Sequence, residues 1–369
     1  MRISKNEFPI KCMDFALNIL KNNEKDNALV SPVSVIMALG LAAGGAKGDT
    51  KNELLRAVSM DEDALNEGIR RLLDSSDTGS DQIKYANGIW VNGDDRIVKA
   101  YKKKMKEEFR AKVRSDAFSQ KTADKINKFV NENTDGMIEK LVDTLSPAAS
   151  MILINALSFS GKWDNPFEDY QVDDEAIFTT ASGKKKRVSM LCGSSKQYFE
   201  LKNAKGFLYP YENKKYTFAA ILPDKGKSVS DILKASRGED LLKALANPLH
   251  IKAEIGIPEY TLDFEAELSD TLKSLGVNSA FAPGKADFSG MLNGNSNDFI
   301  SQILHKTHIE LDREGTRAAA ITGVLTLGAA PPLPGSNIEV ILDRPFIYFI
   351  LDNADKTPVF VGRADNIGH

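Results

Sequence analysis

Histidine and cysteine are the residue types that most often build catalytic and metal sites, and this sequence has four histidines and two cysteines. Cys12 and Cys192 are far apart, which matches neither a disulfide framework nor a zinc spacing. His305 and His308 fall in a strand-like stretch, where alternation sends them to opposite faces and argues against a shared metal. No His-Glu-x-x-His or Gly-x-Ser-x-Gly motif occurs. We therefore predict no catalytic residue, no metal, no cofactor, and a buried, hydrogen-bonded His305.

The stretch 312–336 is the most unusual part of the sequence. It carries no charge after Arg317 and ends in a proline-rich run. A loop this long inside a compact domain is normally functional or disordered. Every second residue from Thr316 is small or β-branched, so this face could enter a sheet without overpacking it, and Gly315 just before it supplies a backbone hinge. A flexible loop with no role explains the pattern equally well.

The elements around this loop change character along the chain. Helical periodicity marks 8–20, 33–43, 101–109 and 126–141, with one early strand at 83–91. From 151 onward strands dominate, at 151–159, 216–222, 251–257, 303–311, 338–342, 346–351 and 359–361. Early helices followed by late strands indicate an α+β fold with mixed or antiparallel sheets. We predict one interlocked domain over residues 1–369, because strands from distant parts of the chain must pair.

Composition limits the possible partners. The chain is 42% hydrophobic with a net charge of −3, and no apolar run reaches the ~20 residues of a membrane span. The basic runs 102–106 and 184–187 are short and have acidic neighbours, so we interpret them as a solvated helix face and a hairpin turn. The expectation is a monomer that binds no nucleic acid and does not cross a membrane.

Several motifs in a fixed order resemble the serpin family. They are Asp-x-x-Gly-Thr-x-Ala-Ala-Ala at 312–320, Asp-Arg-Pro-Phe at 343–346, the final strand at 358–363, the helix start at 27–34, Asn-Ala-Leu at 155–157 with Gly-Lys-Trp at 161–163, and Ala-Asp-Phe-Ser-Gly-Met at 286–291. The resemblance covers nearly all 369 residues. It implies a serpin fold with about three β-sheets, eight or nine helices and an exposed reactive centre loop at 314–336.

The resemblance also implies a mechanism and a set of residues. A target protease cuts the loop, forms an acyl intermediate, and is trapped when the hinge side of the loop inserts into the main sheet. The matching positions are the hinge (Gly315, Thr316, Ala318, Ala319, Ala320), the shutter beneath the sheet centre (Ser31, Ser34, Asn155, His305) and the breach where insertion begins (Trp163, Arg313, Glu259).

Two departures from the family pattern concern charge. Arg313 stands where the family usually has glutamate, and Glu259 stands where it has a basic residue. Because both signs are reversed together, we predict a swapped Arg313–Glu259 ion pair, which contributes ~0–1 kcal/mol if exposed. Thr316 keeps the small residue that inhibitory relatives have, so the hinge favours an inhibitor over a non-inhibitory carrier or binding protein.

The family's loop length places the reactive bond at Ala329–Ala330, with Leu327–Gly328 as the second choice. The bonds that follow have proline after them, which makes poor protease substrates. A small alanine suits the shallow pocket of elastase-like or subtilisin-like serine proteases, and cysteine proteases are a further candidate class. We expect a secreted or cell-surface protein of prokaryotic origin, and a cytoplasmic location stays open because the chain carries no signal segment.

Overall fold

The computed structural model describes residues 7–22, 27–76, 82–93, 96–293, 297–316 and 338–368. Its nine α-helices in these ranges are α1 (Glu7–Lys21), α2 (Pro32–Gly45), α3 (Gly48–Ala57), α4 (Glu62–Ser76), α5 (Lys99–Phe109), α6 (Gln120–Asn133), α7 (Val229–Ala235), α8 (Gly238–Ala246) and α9 (Ser269–Ser274). Within the same ranges, no helix combines the length and hydropathy that crossing a bilayer requires.

Seventeen strands accompany these helices in the described residues. They are β1 (Asn27–Val30), β2 (Ile83–Asn92), β3 (Lys112–Asp116), β4 (Met151–Phe159), β5 (Gly161–Lys162), β6 (Val172–Thr179), β7 (Lys185–Ser195), β8 (Tyr198–Leu201), β9 (Ala204–Pro210), β10 (Tyr216–Pro223), β11 (Ala253–Pro258), β12 (Tyr260–Glu267), β13 (Ile300–Leu311), β14 (Gly315–Thr316), β15 (Glu339–Ile341), β16 (Phe346–Asp352) and β17 (Pro358–Ala364). The strands form three sheets, which confirms the predicted α+β class.

The chain forms two compact units, each built from three separated segments. The first unit comprises residues 1–22, 31–158 and 263–308, and the second comprises 23–30, 159–262 and 309–369. The prediction of a single domain stays a prediction.

In the first unit, strands β3, β2, β4 and β13 lie side by side in that order. Strand β4 has all nine residues buried, as its unbroken apolar sequence predicts. It pairs in parallel with β13 from Met151–Ile300 to Ser158–His308. Helix α6 covers this sheet with Ile126 and Val130, which join one apolar cluster with residues of β4. Apolar side chains therefore fill the layer between α6 and this sheet.

In the second unit, two sheets carry the late strands. One has the order β1-β17-β16-β10-β9-β8 and the other β15-β11-β7-β6. Strand β14 lies apart from both: it pairs with β5 and with Leu311 at the end of β13.

The predicted helix at 126–141 is wrong in its second half. Helix α6 begins earlier, at Gln120, and ends at Asn133. Asp135 and Gly136 have φ values of 50° and 74°, a left-handed conformation that stops an α-helix. Residues 137–141 form an irregular segment. Its apolar residues Ile138 and Leu141 are buried, so the apolar periodicity continues although the backbone is not helical.

Candidate functional site

Strand β14 is the beginning of the predicted hinge, and it already lies in a sheet. Thr316 is antiparallel to Leu311 on one side and to Gly161 on the other. Its side chain is fully buried, and its hydroxyl shares a hydrogen bond of 2.6 Å with the hydroxyl of Tyr211. The rest of the predicted hinge, Ala318–Ala320, and the predicted reactive bond Ala329–Ala330 lie outside the described residues.

Gly315 is glycine for a steric reason. A Cβ atom at this position would lie 2.1 Å from the carbonyl oxygen of Gly161, on the neighbouring strand β5. No backbone shift of a few tenths of an ångström relieves such a contact, so any side chain here would force β14 away from β5. The sequence suggested backbone freedom, whereas the structure shows a close approach of two backbones.

Trp163 holds the turn that precedes β14. Its indole N–H donates to the carbonyl of Asp312 at 2.9 Å, and its backbone N–H donates to the carbonyl of Glu314 at 2.9 Å. The ring is 1% exposed and stacks on Tyr211, with centroids 4.6 Å apart. Trp163 and Tyr211 therefore fix the chain on both sides of the point where β14 begins.

The predicted breach residues Arg313 and Glu259 are neighbours, but their main contact differs from the predicted one. The guanidinium Nε of Arg313 lies 3.8 Å from Glu259 Oε1, while the backbone N–H of Arg313 donates to that oxygen at 3.0 Å. The guanidinium instead hydrogen-bonds Asp169 through Nη1. Because Asp169 is 92% exposed, this second ion pair contributes little stability.

Two carboxyl groups near the turn are partly desolvated. Burial raises the pKa of Glu259, against the lowering effect of the Arg313 backbone N–H and charge. Burial also raises the pKa of Asp312, although its carboxylate accepts hydrogen bonds from the backbone of Glu314 and Gly315 at 2.8 and 3.0 Å. The turn thus keeps two acidic groups half-buried next to β14.

The predicted shutter residues come together in the first unit with one unpredicted partner, Asn87. We call Ser31, Ser34, Asn87, Asn155 and His305 the polar cluster; the first two and last two are fully buried, and Asn87 is 3% exposed. Asn155 and His305 face each other across β4 and β13, and His305 Nδ1 hydrogen-bonds Asn155 Oδ1. Asn155 Nδ2 donates to Asn87 Oδ1 at 3.0 Å and to the carbonyl of Ser34.

Helix α2 begins at this cluster. The Ser31 side chain caps the helix by accepting the Ser34 N–H at 3.2 Å, and Pro32 stands at the first helical position. The backbone N–H of Ser31 lies 3.4 Å from His305 Nε2. Since Nε2 accepts this bond, Nδ1 carries the proton and donates to Asn155. His305 is therefore neutral, and complete burial lowers its pKa to about 3.

Three residues of these sites could not be predicted from the sequence, because no motif or spacing marks them. Asn87 lies within a strand, Tyr211 follows one, and Asp169 is one of many surface carboxylates. In contrast, His305 and His308 behave as strand alternation predicts. His308 bonds exposed Asp263 at 2.8 Å, and the described residues contain no group of three or more potential metal ligands.

Comparison with known proteins decides the family. The sequence matches the Serpin (serine protease inhibitor) family over residues 11–367. The chain is a serpin. A serine protease inhibitor of the jellyfish Cyanea capillata is 28% identical over 372 aligned residues, covering 96% of both chains. The names that match describe inhibitors of serine proteases and not catalysts.

Solved serpin structures agree with the fold. The thermophilic serpin tengpin in its native state superposes with a TM-score of 0.91 at 31% identity, covering 100% of this chain and 96% of tengpin. Human thyroxine-binding globulin in complex with thyroxine gives a TM-score of 0.87 at 23% identity over 99% of both chains, which shows a shared fold alone. The names of proteins with this fold therefore include both a serpin and a thyroxine-binding globulin.

The depressed pKa of His305 predicts an acid-sensitive polar cluster. Because the folded pKa of about 3 lies below the unfolded value of 6.5, the stabilisation is complete above pH 6.5 and is lost as the pH falls. Between pH 6.5 and pH 5 this costs ~2 kcal/mol in free energy of unfolding. His305→Gln, which has no titrating ring, should lack this part of the pH dependence when urea unfolding is measured at both pH values.

The matched control is His308→Gln, the same substitution three residues along β13 and outside the polar cluster. It should keep the wild-type difference between the two pH values. Equal pH dependence in His305→Gln and wild type would show that His305 does not carry the effect.

Proposed function

We propose that this serpin inhibits serine proteases as a single-use substrate, by inserting its cut loop as a new strand between β4 and β13. The observation that carries the proposal is the direct parallel pairing of these two strands, from Met151–Ile300 to Ser158–His308. An antiparallel strand placed between them adds two ladders of hydrogen bonds in exchange for one. Insertion therefore releases free energy that the uncut loop cannot reach, and the native state is held kinetically.

The register of β14 predicts where each loop residue would pair. Thr316 is opposite Leu311 and Gly161 in antiparallel fashion, so the chain continued without a bulge brings residue 322 opposite His305 on one side. Counting along the other side brings residue 322 opposite Asn155. The two counts agree, because Asn155 and His305 are themselves partners.

The same register supports the predicted alternation of small residues. Ile303, Thr307 and Ile309 are buried residues on one face of β13, and they would pair with residues 324, 320 and 318. These are Val324, Ala320 and Ala318, which are small enough to enter a packed layer. The charged Arg317 would point to the opposite face.

The length of β13 supports the proposed reactive bond. Twelve inserted residues would fill the strand, from Thr316 opposite Leu311 to Leu327 opposite Ile300. The proposed bond Ala329–Ala330 then follows two residues beyond the end of the sheet. The serine of the protease attacks the Ala329 carbonyl, Ala330 leaves as a new amino terminus, and the ester-linked protease moves ~40 Å with the strand.

The polar cluster is the proposed gate for this movement. A new strand must break the hydrogen bond between Asn155 and His305, which crosses the centre of the opening. Thr322 would replace it, since in the extrapolated register its hydroxyl would be on the inward face and can both donate and accept hydrogen bonds. The breach residues Trp163, Arg313 and Glu259 would release the turn at which insertion starts.

The proposed target is an elastase-like or subtilisin-like protease, because Ala329 fits a shallow specificity pocket. The inhibitor would act as a monomer, in a one-to-one complex, outside the cell or at its surface. The second candidate function is that of a non-inhibitory binding protein, for which the similarity to thyroxine-binding globulin supplies a precedent of fold alone.

Mixing the protein with pancreatic elastase tests the proposal. We expect a covalent complex that survives SDS and boiling, with release of the peptide that begins at Ala330, as read by mass spectrometry. Protein cut in the loop should also resist thermal unfolding far better than uncut protein. Complete cleavage without a complex and without a gain in thermal resistance would favour the binding protein.

Thr316→Arg should convert the inhibitor into a substrate. The fully buried site holds a threonine whose hydroxyl contacts Tyr211, and a desolvated arginine there has no counter-charge. The arginine should keep this residue out of the sheet in the uncut protein and oppose its entry after cleavage. Insertion is then slowed, so the acyl-enzyme hydrolyses first, and we expect at least a tenfold fall in the ratio of complex to cleaved product. Thr316→Val, of equal size, should keep most of the complex; equal losses in both variants would contradict the buried-strand argument.

Thr322→Val should weaken the cleaved form and leave the native form unchanged. The variant removes the hydroxyl that replaces the Asn155–His305 contact, and leaving those groups unsatisfied costs ~1–3 kcal/mol. Guanidinium unfolding of cleaved and native protein measures the difference. The control is Thr326→Val, on the same face but four residues further, opposite Met151 in the extrapolated register. A cleaved-state loss of equal size in the control would place the register elsewhere.

A further inference from the structure

A basic groove runs across the first unit between α5, β3 and α6. Its volume is about 780 Å³. Helix α5 contributes Lys102 and Lys106, which are four residues and so ~6 Å apart on one face, and Arg110 follows directly after the helix end. Strand β3 adds Lys112 and Arg114.

The groove concentrates positive charge on a protein whose net charge is −3. Helix α6 adds Lys125 and Lys128, and the acidic residues of the lining are Asp116 and Glu132, which gives the lining a net charge of +5. Asp116 pairs with Lys125 at 2.5 Å and Glu132 with Lys128 at 3.6 Å. The carboxylates of the groove are thus already used by the cations of α6.

Four other cations of the groove, two from α5 and two from β3, lack such partners. Lys102, Lys106, Lys112 and Arg114 form no ion pair with any residue in the described ranges. Holding like charges around one groove costs free energy in the folded protein, and a bound anion would remove that cost. Because the charges extend along two elements, their arrangement fits a linear polyanion better than a single small anion.

Two aromatic side chains line the groove, and they indicate which class of polyanion it would bind. Phe129 lies half-buried in the lining, 5.6 Å from Lys112 Nζ and 5.4 Å from the ring of Trp90. Trp90 also lines the groove, and its buried indole N–H has no hydrogen-bond partner among the described residues. Single-stranded nucleic acids bind where a positive groove follows the backbone and aromatic rings stack with the bases.

We propose that this groove binds single-stranded nucleic acid, with the cations of α5 and β3 on the phosphates and Phe129 against a base. The expectation from net charge was that no nucleic acid binds. Net charge averages over the whole surface, whereas binding depends on the local potential of the groove. The proposal is independent of protease inhibition, because its test measures binding alone.

Fluorescence anisotropy with a labelled single-stranded thymidine oligonucleotide tests the proposal on the full chain. Four phosphate contacts predict a slope of about −2.8 for the logarithm of affinity against the logarithm of salt concentration. This slope corresponds to a roughly 50-fold loss of affinity between 50 and 200 mM salt. The double variant Lys106→Gln/Arg114→Gln should reduce that loss to about sevenfold. Lys103→Gln/Lys121→Gln, with equal charge change on α5 and α6 but outside the groove, should behave as wild type.

Phe129→Leu separates nucleic acid from other polyanions, because leucine keeps the packing and removes the stacking surface. We expect at least about a fivefold loss of oligonucleotide affinity and no change in the affinity for heparin, a polyanion without bases. No binding of the oligonucleotide, equal weakening in the control double variant, or an unchanged affinity in Phe129→Leu would each overturn the assignment. Circular dichroism and thermal unfolding establish that all variants are folded.

Discussion

The parallel pairing of β4 with β13 is the constraint on which the rest of this structure depends. Two buried strands share one ladder of hydrogen bonds, and the contact of Asn155 with His305 crosses it at the centre. The cluster that supplies this contact also caps α2 through Ser31. Separating the strands therefore disturbs a helix terminus and a neutral histidine together, which gives the closed sheet a barrier in addition to its stability.

Several weak interactions hold the turn at the start of the hinge. Trp163 holds two carbonyls of the turn, and Glu259 accepts the backbone N–H of Arg313. Gly315 admits a close approach that no other residue permits. None of these contacts is strong alone, but together they give the turn a defined geometry up to Thr316. In the proposed mechanism, the inserted strand would continue from this turn.

Sequence patterns predicted the parts of this site that depend on periodicity and residue type. The buried strand β4, the buried neutral His305 and the buried Thr316 at the start of the alternating stretch all follow from local rules. The contact partners that tertiary packing brings to these residues could not be predicted from local patterns. Arg313 bonds Asp169 as well as meeting Glu259, and Thr316 meets Tyr211, because exposed carboxylates and strand-terminal tyrosines are common and carry no positional signal. The second half of the predicted helix at 126–141 failed because periodicity continues past the left-handed residues Asp135 and Gly136.

The chain has two tryptophans, and each stands at one of the two places where a change of state is expected. Trp163 is stacked on Tyr211 and bonded to the turn before the hinge, while Trp90 lies beside Phe129 in the basic groove. Indole emission depends on the polarity and stacking around the ring, so each of these side chains is a native optical reporter. Replacing either one by phenylalanine would leave a protein whose intrinsic fluorescence follows a single region, without any attached dye.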